Sequence, residues 1–347
     1  MAQYRQSDRR VANYALALIW VALICAAGDD ALTSVRAADG GVLERYEASA
    51  SIMGSTYTVA AYGEHRGILA SAVRAAFDEA RRIDGFLSNY RPDSELSRFN
   101  REAASGPVAL SPEMADLLSR SLAYSRRSEG AFDISVGALM KVWGFYKDSG
   151  RLPSRIAIAL AKRKVGYRQV ELDRAAGTVR YRRAGLELDP GGIGKGYAVD
   201  RMAAILRGAK VQRAFISAAG SSMYAIGAPP AEPRGWYVRI RDPRAAERTA
   251  AELYLHDESL STSGAYEKFF EAGGRTYSHI MDPRTGMPAQ GVVAVSVLAP
   301  STLDSEAWTK AFFVNGWEWS ERNKPADFKV LFCRDGRPCA WTGGEAP

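Results

Sequence analysis

Cysteine and histidine are scarce in this chain, with three of each among 347 residues. Cys333 and Cys339 sit close together, but none of His65, His256 and His279 lies near them, so no set of ligands has zinc-site spacing. No internal repeat or heptad pattern is present, which excludes solenoids and coiled coils. Like charges form no long block: 46 Lys and Arg against 39 Asp and Glu give a net charge of +7 spread through the chain. That pattern lacks the concentrated basic stripe of a nucleic-acid binder, so no nucleic-acid partner is expected. What remains, 47% hydrophobic and 24% charged residues, is an ordinary globular composition long enough for a sizeable core.

The longest apolar run is Tyr14 to Ala27, behind Arg5, Arg9 and Arg10. It is shorter than the ~20 residues that span a bilayer and has the layout of an export signal, with Val35-Arg36-Ala37 offering a cleavage point. Residues 1–37 are therefore read as a signal and 38–347 as the folded part, in the periplasm. Arg9-Arg10 is a weak twin-arginine match, and the bulky Ile24 before Cys25 argues against a lipid anchor. An uncleaved anchor would leave the protein associated with the inner membrane. Once the signal is removed, Cys333 and Cys339 remain, separated by Arg-Asp-Gly-Arg-Pro, and a disulfide across that turn is expected in an oxidising compartment.

Within the folded part, alternation over 48–61 predicts a strand, and apolar spacing predicts helices over 67–86 and, behind the N-cap Ser111, to Glu129. Short strands follow over 169–179, 214–226 and 236–241, with turns at Asp242-Pro243, Gly273-Gly274 and Asp282-Pro283. Helices and hairpins without strict strand-helix alternation indicate an α+β fold with mixed or antiparallel sheets and packed helices.

The chemistry centres on Leu188-Asp-Pro-Gly-Gly-Ile-Gly-Lys-Gly-Tyr-Ala-Val-Asp200. Gly185 to Leu188 alternates like a strand, and helical spacing runs from Tyr197 to Leu206, so the glycines occupy the turn between them. Such a turn leaves backbone N–H groups pointing at one place, and Lys195 adds a charge there: a site for an anion. It is neither a P-loop nor a G-x-G-x-x-G dinucleotide fingerprint. The competing reading is a plain tight turn with a solvated lysine.

Five further stretches accompany it: Met53-Gly-Ser-Thr-Tyr57, Leu87-Ser-Asn-Tyr-Arg-Pro-Asp-Ser-Glu-Leu-Ser-Arg-Phe-Asn100, Ala131-Phe-Asp-Ile-Ser-Val-Gly-Ala138, Ser261-Thr-Ser-Gly-Ala-Tyr-Glu-Lys268 and Tyr277-Ser-His-Ile-Met-Asp-Pro-Arg-Thr-Gly286. In this order the six motifs resemble the ApbE family, the FAD:protein FMN transferases, from about Ser51 to Gly316, with a C-terminal extension from about 317. The resemblance implies a Mg²⁺-dependent enzyme that cleaves FAD, joins its FMN half to a threonine of a flavoprotein acceptor and releases AMP. It places Met53, Tyr90, Ala131, Phe132, Asp133, Gly191, Lys195, Tyr197 and Ile280 around FAD. Tyr90 and Tyr197 offer flat faces for stacking, and Asp133 offers an acceptor for a ring or ribose. His279, the one histidine within a motif, is the candidate base toward the acceptor hydroxyl, with Lys195 its catalytic partner on the phosphates.

The metal position is where the chain departs from that pattern. The family's Asp-Ala-x-x-Thr brings a carboxylate and a hydroxyl to one ion, with a carbonyl from the glycine loop. Gap-free alignment puts Glu306 at the first position and Lys310 at the last, so Gly194, Glu306, Thr309 and Lys310 are the positional ligand set, with Asp304 as competing carboxylate. A lysine ammonium has no lone pair to give Mg²⁺. A second departure is Ser217-Ala-Ala-Gly-Ser-Ser222, where relatives more often carry Asn-Ala-Gly-Gly-Asp. The leading expectation is an exported flavin transferase acting on a periplasmic or membrane-bound flavoprotein; a subset of the family is linked to nitrous-oxide reduction. The alternative is a non-catalytic FAD-binding accessory protein of a redox system.

Overall fold

The computed structural model of the chain describes residues 34–36, 42–147, 150–245 and 247–344. The apolar run and basic residues of the expected export signal lie outside these. The described chain opens with β1 (Ser34–Arg36), β2 (Val42–Ile52) and β3 (Ser55–Gly63). A mainly helical stretch follows: α1 (Arg66–Leu87), α2 (Glu95–Glu102), β4 (Val108–Ala109), α3 (Pro112–Arg127), α4 (Gly137–Val142) and α5 (Arg155–Lys162). The hairpin β5 (Val170–Asp173) and β6 (Thr178–Tyr181) leads to α6 (Gly194–Gly208). Strands then dominate: β7 (Arg213–Ala218), β8 (Ser222–Ile226), β9 (Trp236–Arg241), β10 (Thr249–Leu255), β11 (Ser259–Gly264), β12 (Phe269–Ala272), β13 (Arg275–Ser278), β14 (Met281–Asp282), β15 (Met287–Pro288) and β16 (Val292–Ala299). The chain ends with α7 (Thr302–Asn315), α8 (Trp317–Asn323), β17 (Lys329–Arg334) and β18 (Ala340–Trp341).

Nine strands form one antiparallel sheet in the order β1-β2-β3-β7-β8-β11-β16-β17-β18. Alternation buries both faces. In β7, Ala214, Ile216 and Ala218 join the core shared with α1, α6 and α7, whereas Phe215 points to the opposite side. There the hairpin β9–β10 covers the sheet, packing Trp236, Val238, Ile240, Leu253 and Leu255 on Phe215, Met223, Leu260, Leu298 and Leu331. Helix α1 follows its apolar spacing, burying Leu69, Ala72, Val73, Ala76, Phe77, Ala80 and Ile83. Ser111 caps α3 by accepting from Met114 N. These elements make the expected α+β fold.

Two local expectations are corrected. The strand expected over 48–61 is a hairpin, because Met53 and Gly54 both take positive φ, 50° and 64°, and reverse the chain. Gly185 to Leu188 is no strand: only Glu187 bridges, to Val136. Asn100 supplies the missing partner, its Oδ1 accepting from Leu188 N at 2.9 Å and its Nδ2 donating to Leu188 O at 3.0 Å.

The segment beyond 317 is part of the main sheet. Trp317 stacks edge-on against Phe332, Trp319 lies on Trp308 and Phe312, and β17 pairs with β16. Cys333 and Cys339 are disulfide-bonded, closing the turn between β17 and β18. A loop this short contributes about 2 kcal/mol through the unfolded chain. Thiol labelling in denaturant is therefore expected to rise by two sites on reduction; equal labelling before and after would mean there is no bridge.

Candidate active site at the start of α6

The glycine motif folds as a capped turn running directly into a helix. Asp189 accepts from Gly191 N at 2.7 Å, Pro190 to Gly192 make one 3₁₀ turn, and the first bond of α6 runs from Tyr197 N to Ile193 O. The amides of Gly194, Lys195 and Gly196 thus precede any intrahelical acceptor. That of Gly196 is taken by Glu306 Oε2 at 2.5 Å. Helix α7 lies hard against this turn: a Cβ on Gly196 would stand 2.4 Å from Thr302 O and 2.9 Å from Glu306 Oε2. Asp200, one turn on, accepts from the first amides of α7, Thr302 N at 2.7 Å and Leu303 N at 2.9 Å.

A compact set of charges results. Glu306 is 1% exposed, and its Oε1 has no hydrogen-bond donor; the nearest cation is Lys310 Nζ at 3.6 Å, one helical turn away. Burial lowers the Lys310 pKa, with Glu306 opposing the fall and Lys195 adding to it. Glu267, just past β11, has a raised pKa, also through burial, with Lys195 and Lys310 the principal charges holding it down. Its Oε1 is likewise buried without a donor. His279 completes the set. Burial takes its pKa from 6.5 to about 4; a hydrogen bond to Lys268 O opposes this, and Lys310, Lys195 and Lys268 add to it. Because a carbonyl can only accept, the ring atom 3.2 Å from Lys268 O, Nδ1, carries the proton, and Nε2 keeps its lone pair.

Glu306 and Lys310 therefore stand at the turn of Gly196, with Lys195 and His279 within electrostatic range of Lys310. Tyr90 and Gly191 lie on the outer side of that turn. Tyr90 is 75% exposed, and its hydroxyl donates to the carbonyl of Tyr146, whose own hydroxyl bonds Asp189 beneath Gly191. Met53 donates its amide to Asp84 and takes the Tyr57 hydroxyl on its sulfur, and Tyr57 lies near enough to Glu306 to feel its charge. Ala131, Phe132 and Ile280 are buried wall residues; the ring edge of Phe132 would meet a Cβ on Gly192 at 3.1 Å. A groove of about 680 Å³ is lined by Ala265, Tyr266, Tyr277 and Ser278 among others, Tyr266 and Ser278 being the chain neighbours of Glu267 and His279.

Four of the expected ligand residues are engaged by partners within the chain. Tyr197 sits about 200° around the helix from Lys195 and donates to Glu113 Oε1 at 2.6 Å, in a network with Arg82, Glu79 and Arg201. Asp133 spends both oxygens on its own neighbourhood, Ser135 and Tyr167 N, so it shapes the loop. Thr309 is fully buried, bonded to Ser263 and to Glu306 O. Asp304 faces α3, held by Tyr124, with Ser301 donating to its second oxygen in an N-terminal cap. Glu267 and Lys268, conversely, join the site although only their motif stood out in the sequence. The available signal was the adjacent charge pair itself, three residues past the end of β11.

A family model described as the ApbE family matches residues 53–330. This chain belongs to the ApbE family. It is 33% identical over 296 residues to an FAD:protein FMN transferase of Treponema pallidum, covering 80% of this chain and 81% of that protein. It is 32% identical over 245 residues to one of Escherichia coli K12, covering 68% of each. The solved ApbE protein of Thermotoga maritima aligns with a TM-score of 0.79 at 29% identity, covering 85% of this chain and 96% of that one. The flavin transferase ApbE of Vibrio cholerae aligns with a TM-score of 0.76 at 26% identity, covering 86% and 96%.

The Mg²⁺ that ApbE resemblance implies does not fit the donors in this chain. Lys310 stands at a ligand position with no lone pair, the Thr309 hydroxyl is committed to Ser263, and Asp304 is turned to Tyr124. No group of three or more His, Cys, Asp and Glu able to hold a metal occurs among the described residues.

Proposed function

We propose that this protein is an FAD:protein FMN transferase, moving FMN from FAD to a threonine hydroxyl of a flavoprotein and releasing AMP. The observation that carries the reading is the cluster at the start of α6: open amides and Lys195 within electrostatic range of Lys310 and of His279, whose Nδ1 is held by Lys268 O so that Nε2 keeps its lone pair. The pyrophosphate sits over Gly194 and Lys195, where amides and ammonium groups take up its charge. The exposed ring of Tyr90 offers a flat surface beside Gly191. His279 Nε2 accepts the threonine proton as that oxygen attacks the phosphorus on the FMN side. The P–O bond to AMP breaks, and AMP leaves with the bonding pair. Positioning and charge neutralisation supply most of the acceleration in such transfers. The bound pyrophosphate also offsets the lysines that depress His279, making it a stronger base once substrate is present.

In this reading the apolar run of Tyr14 to Ala27 directs export, ahead of β1, and the protein acts in the periplasm on a periplasmic or membrane-bound flavoprotein. A second reading, an FAD-delivering accessory protein without transfer activity, is favoured by Lys310 at the expected hydroxyl position. Incubation with FAD and a periplasmic flavoprotein bearing an unmodified threonine site separates them. AMP release with covalent flavin fluorescence on the acceptor is expected; intact FAD retained by the protein supports the delivery role.

A further inference from the structure

A buried carboxylate oxygen without a donor calls for a cation. Glu306 has such an oxygen and cannot readily turn away. Its other oxygen is bonded to Gly196 N, and the backbones of α6 and α7 meet at Gly196 and Thr302. Lys310, four residues on, places its ammonium 3.6 Å from the free oxygen. Lys195 and Glu267 lie within electrostatic range of Lys310, so two carboxylates and two lysines offset one another before any ion arrives. A divalent cation entering there meets the Lys310 ammonium, already 3.6 Å from Glu306 Oε1, and finds Glu267 Oε1 as the other buried carboxylate oxygen without a donor. Mg²⁺ demands an octahedron of oxygens and dehydrates reluctantly.

We infer that Lys310 is the resident counter-ion of Glu306, occupying the place of a divalent metal, so that this site grips its phosphate-bearing ligand without Mg²⁺. The ammonium keeps two further N–H groups beyond the one directed at Glu306, and these suit phosphate oxygens over the adjacent turn. One fixed positive charge replaces a mobile double one. The device needs no ion from the surroundings, but it lacks the Lewis acidity that polarises a phosphoryl oxygen. The inference rests on the proposed reaction only for the ligand being FAD.

Mn²⁺, a paramagnetic stand-in for Mg²⁺, provides the test. Free Mn²⁺ is measured by electron paramagnetic resonance against wild type and Lys310→Thr, and FAD affinity by flavin fluorescence in chelator and in excess Mg²⁺. Wild type is expected to bind no stoichiometric Mn²⁺, with FAD affinity changing by less than about twofold between the two conditions. Lys310→Thr removes the competing charge and opens room for water, so its Mn²⁺ affinity should rise at least about tenfold and its FAD binding should become metal-dependent. Lys310→Met, similar in length but neutral, should weaken FAD binding about tenfold or more in chelator. Circular dichroism confirms folding of each variant, and the wild-type measurements stand without them. One Mn²⁺ bound per wild-type molecule, a tenfold loss of FAD affinity in chelator, or no gain of Mn²⁺ binding by folded Lys310→Thr overturns the inference. If the acceptor assay yields no AMP, the reaction fails while these binding results still decide the role of Lys310.

Discussion

Replacing His279 by Ala is expected to slow FMN transfer by about 10²–10⁴-fold while changing FAD affinity by less than about threefold. The asymmetry follows from geometry: Nδ1 is spent on Lys268 O, leaving Nε2 for a proton from the incoming hydroxyl, whereas the phosphate charge falls to the α6 amides and the lysines. The sign of the pH dependence follows too. A base works unprotonated, and His279 has a pKa of about 4 rather than 6.5, so the acid limb of kcat/KM should lie near pH 4 to 5. The same depression makes the unfolded chain the better proton binder between these values, so its contribution to stability is complete above 6.5 and is lost as the pH falls toward 4. Stopped-flow rates with wild type and His279→Ala across this range check both. Wild-type turnover by the variant would remove His279 from the mechanism.

Gly196→Ala should be strongly damaging for a single added methyl. Its Cβ would stand 2.4 Å from the carbonyl oxygen of Thr302 and 2.8 Å from the carbon, both backbone, so α6 and α7 must separate. That movement breaks the Gly196 to Glu306 bond and disturbs the Asp200 cap on α7, and a cost of about 2–4 kcal/mol follows, with loss of FAD binding. Gly208, at the far end of the same helix, has nothing within 4 Å of its would-be Cβ. Gly208→Ala should be neutral or stabilising by up to about 1 kcal/mol, since alanine is the better helix residue. Urea unfolding of the pair separates close packing from helix propensity. Equal stability of the two variants would contradict the packing described here.

These contrasts show what was legible in the chain and what was not. The faces of α1 and α3, the Ser111 cap and the turn at the start of α6 follow from local spacing, and local spacing is what a sequence displays. Partners across the fold are different. Helical periodicity places Tyr197 opposite Lys195, yet nothing local reveals that Glu113, on α3, receives its hydroxyl. Thr309 is taken from the metal position by Ser263, a pairing that depends on how α7 lies on β11. Asp304 is the instructive case, because its role was readable: Ser301 stands three residues before it, the spacing of a helix cap, and that local bond outcompetes the metal reading. The ion pair of Glu306 with Lys310 was half visible, as an i,i+4 spacing. Its burial against Gly196 needed the fold.

Covalent transfer of FMN leaves its mark on the acceptor, and intact-protein mass spectrometry of a candidate flavoprotein co-expressed with and without this chain reads it. An acceptor heavier by one FMN residue is expected only when this chain is present, the added mass mapping to a threonine and accumulating far more slowly with His279→Ala. An acceptor of unchanged mass, from cells in which both proteins are folded and FAD is plentiful, would contradict it.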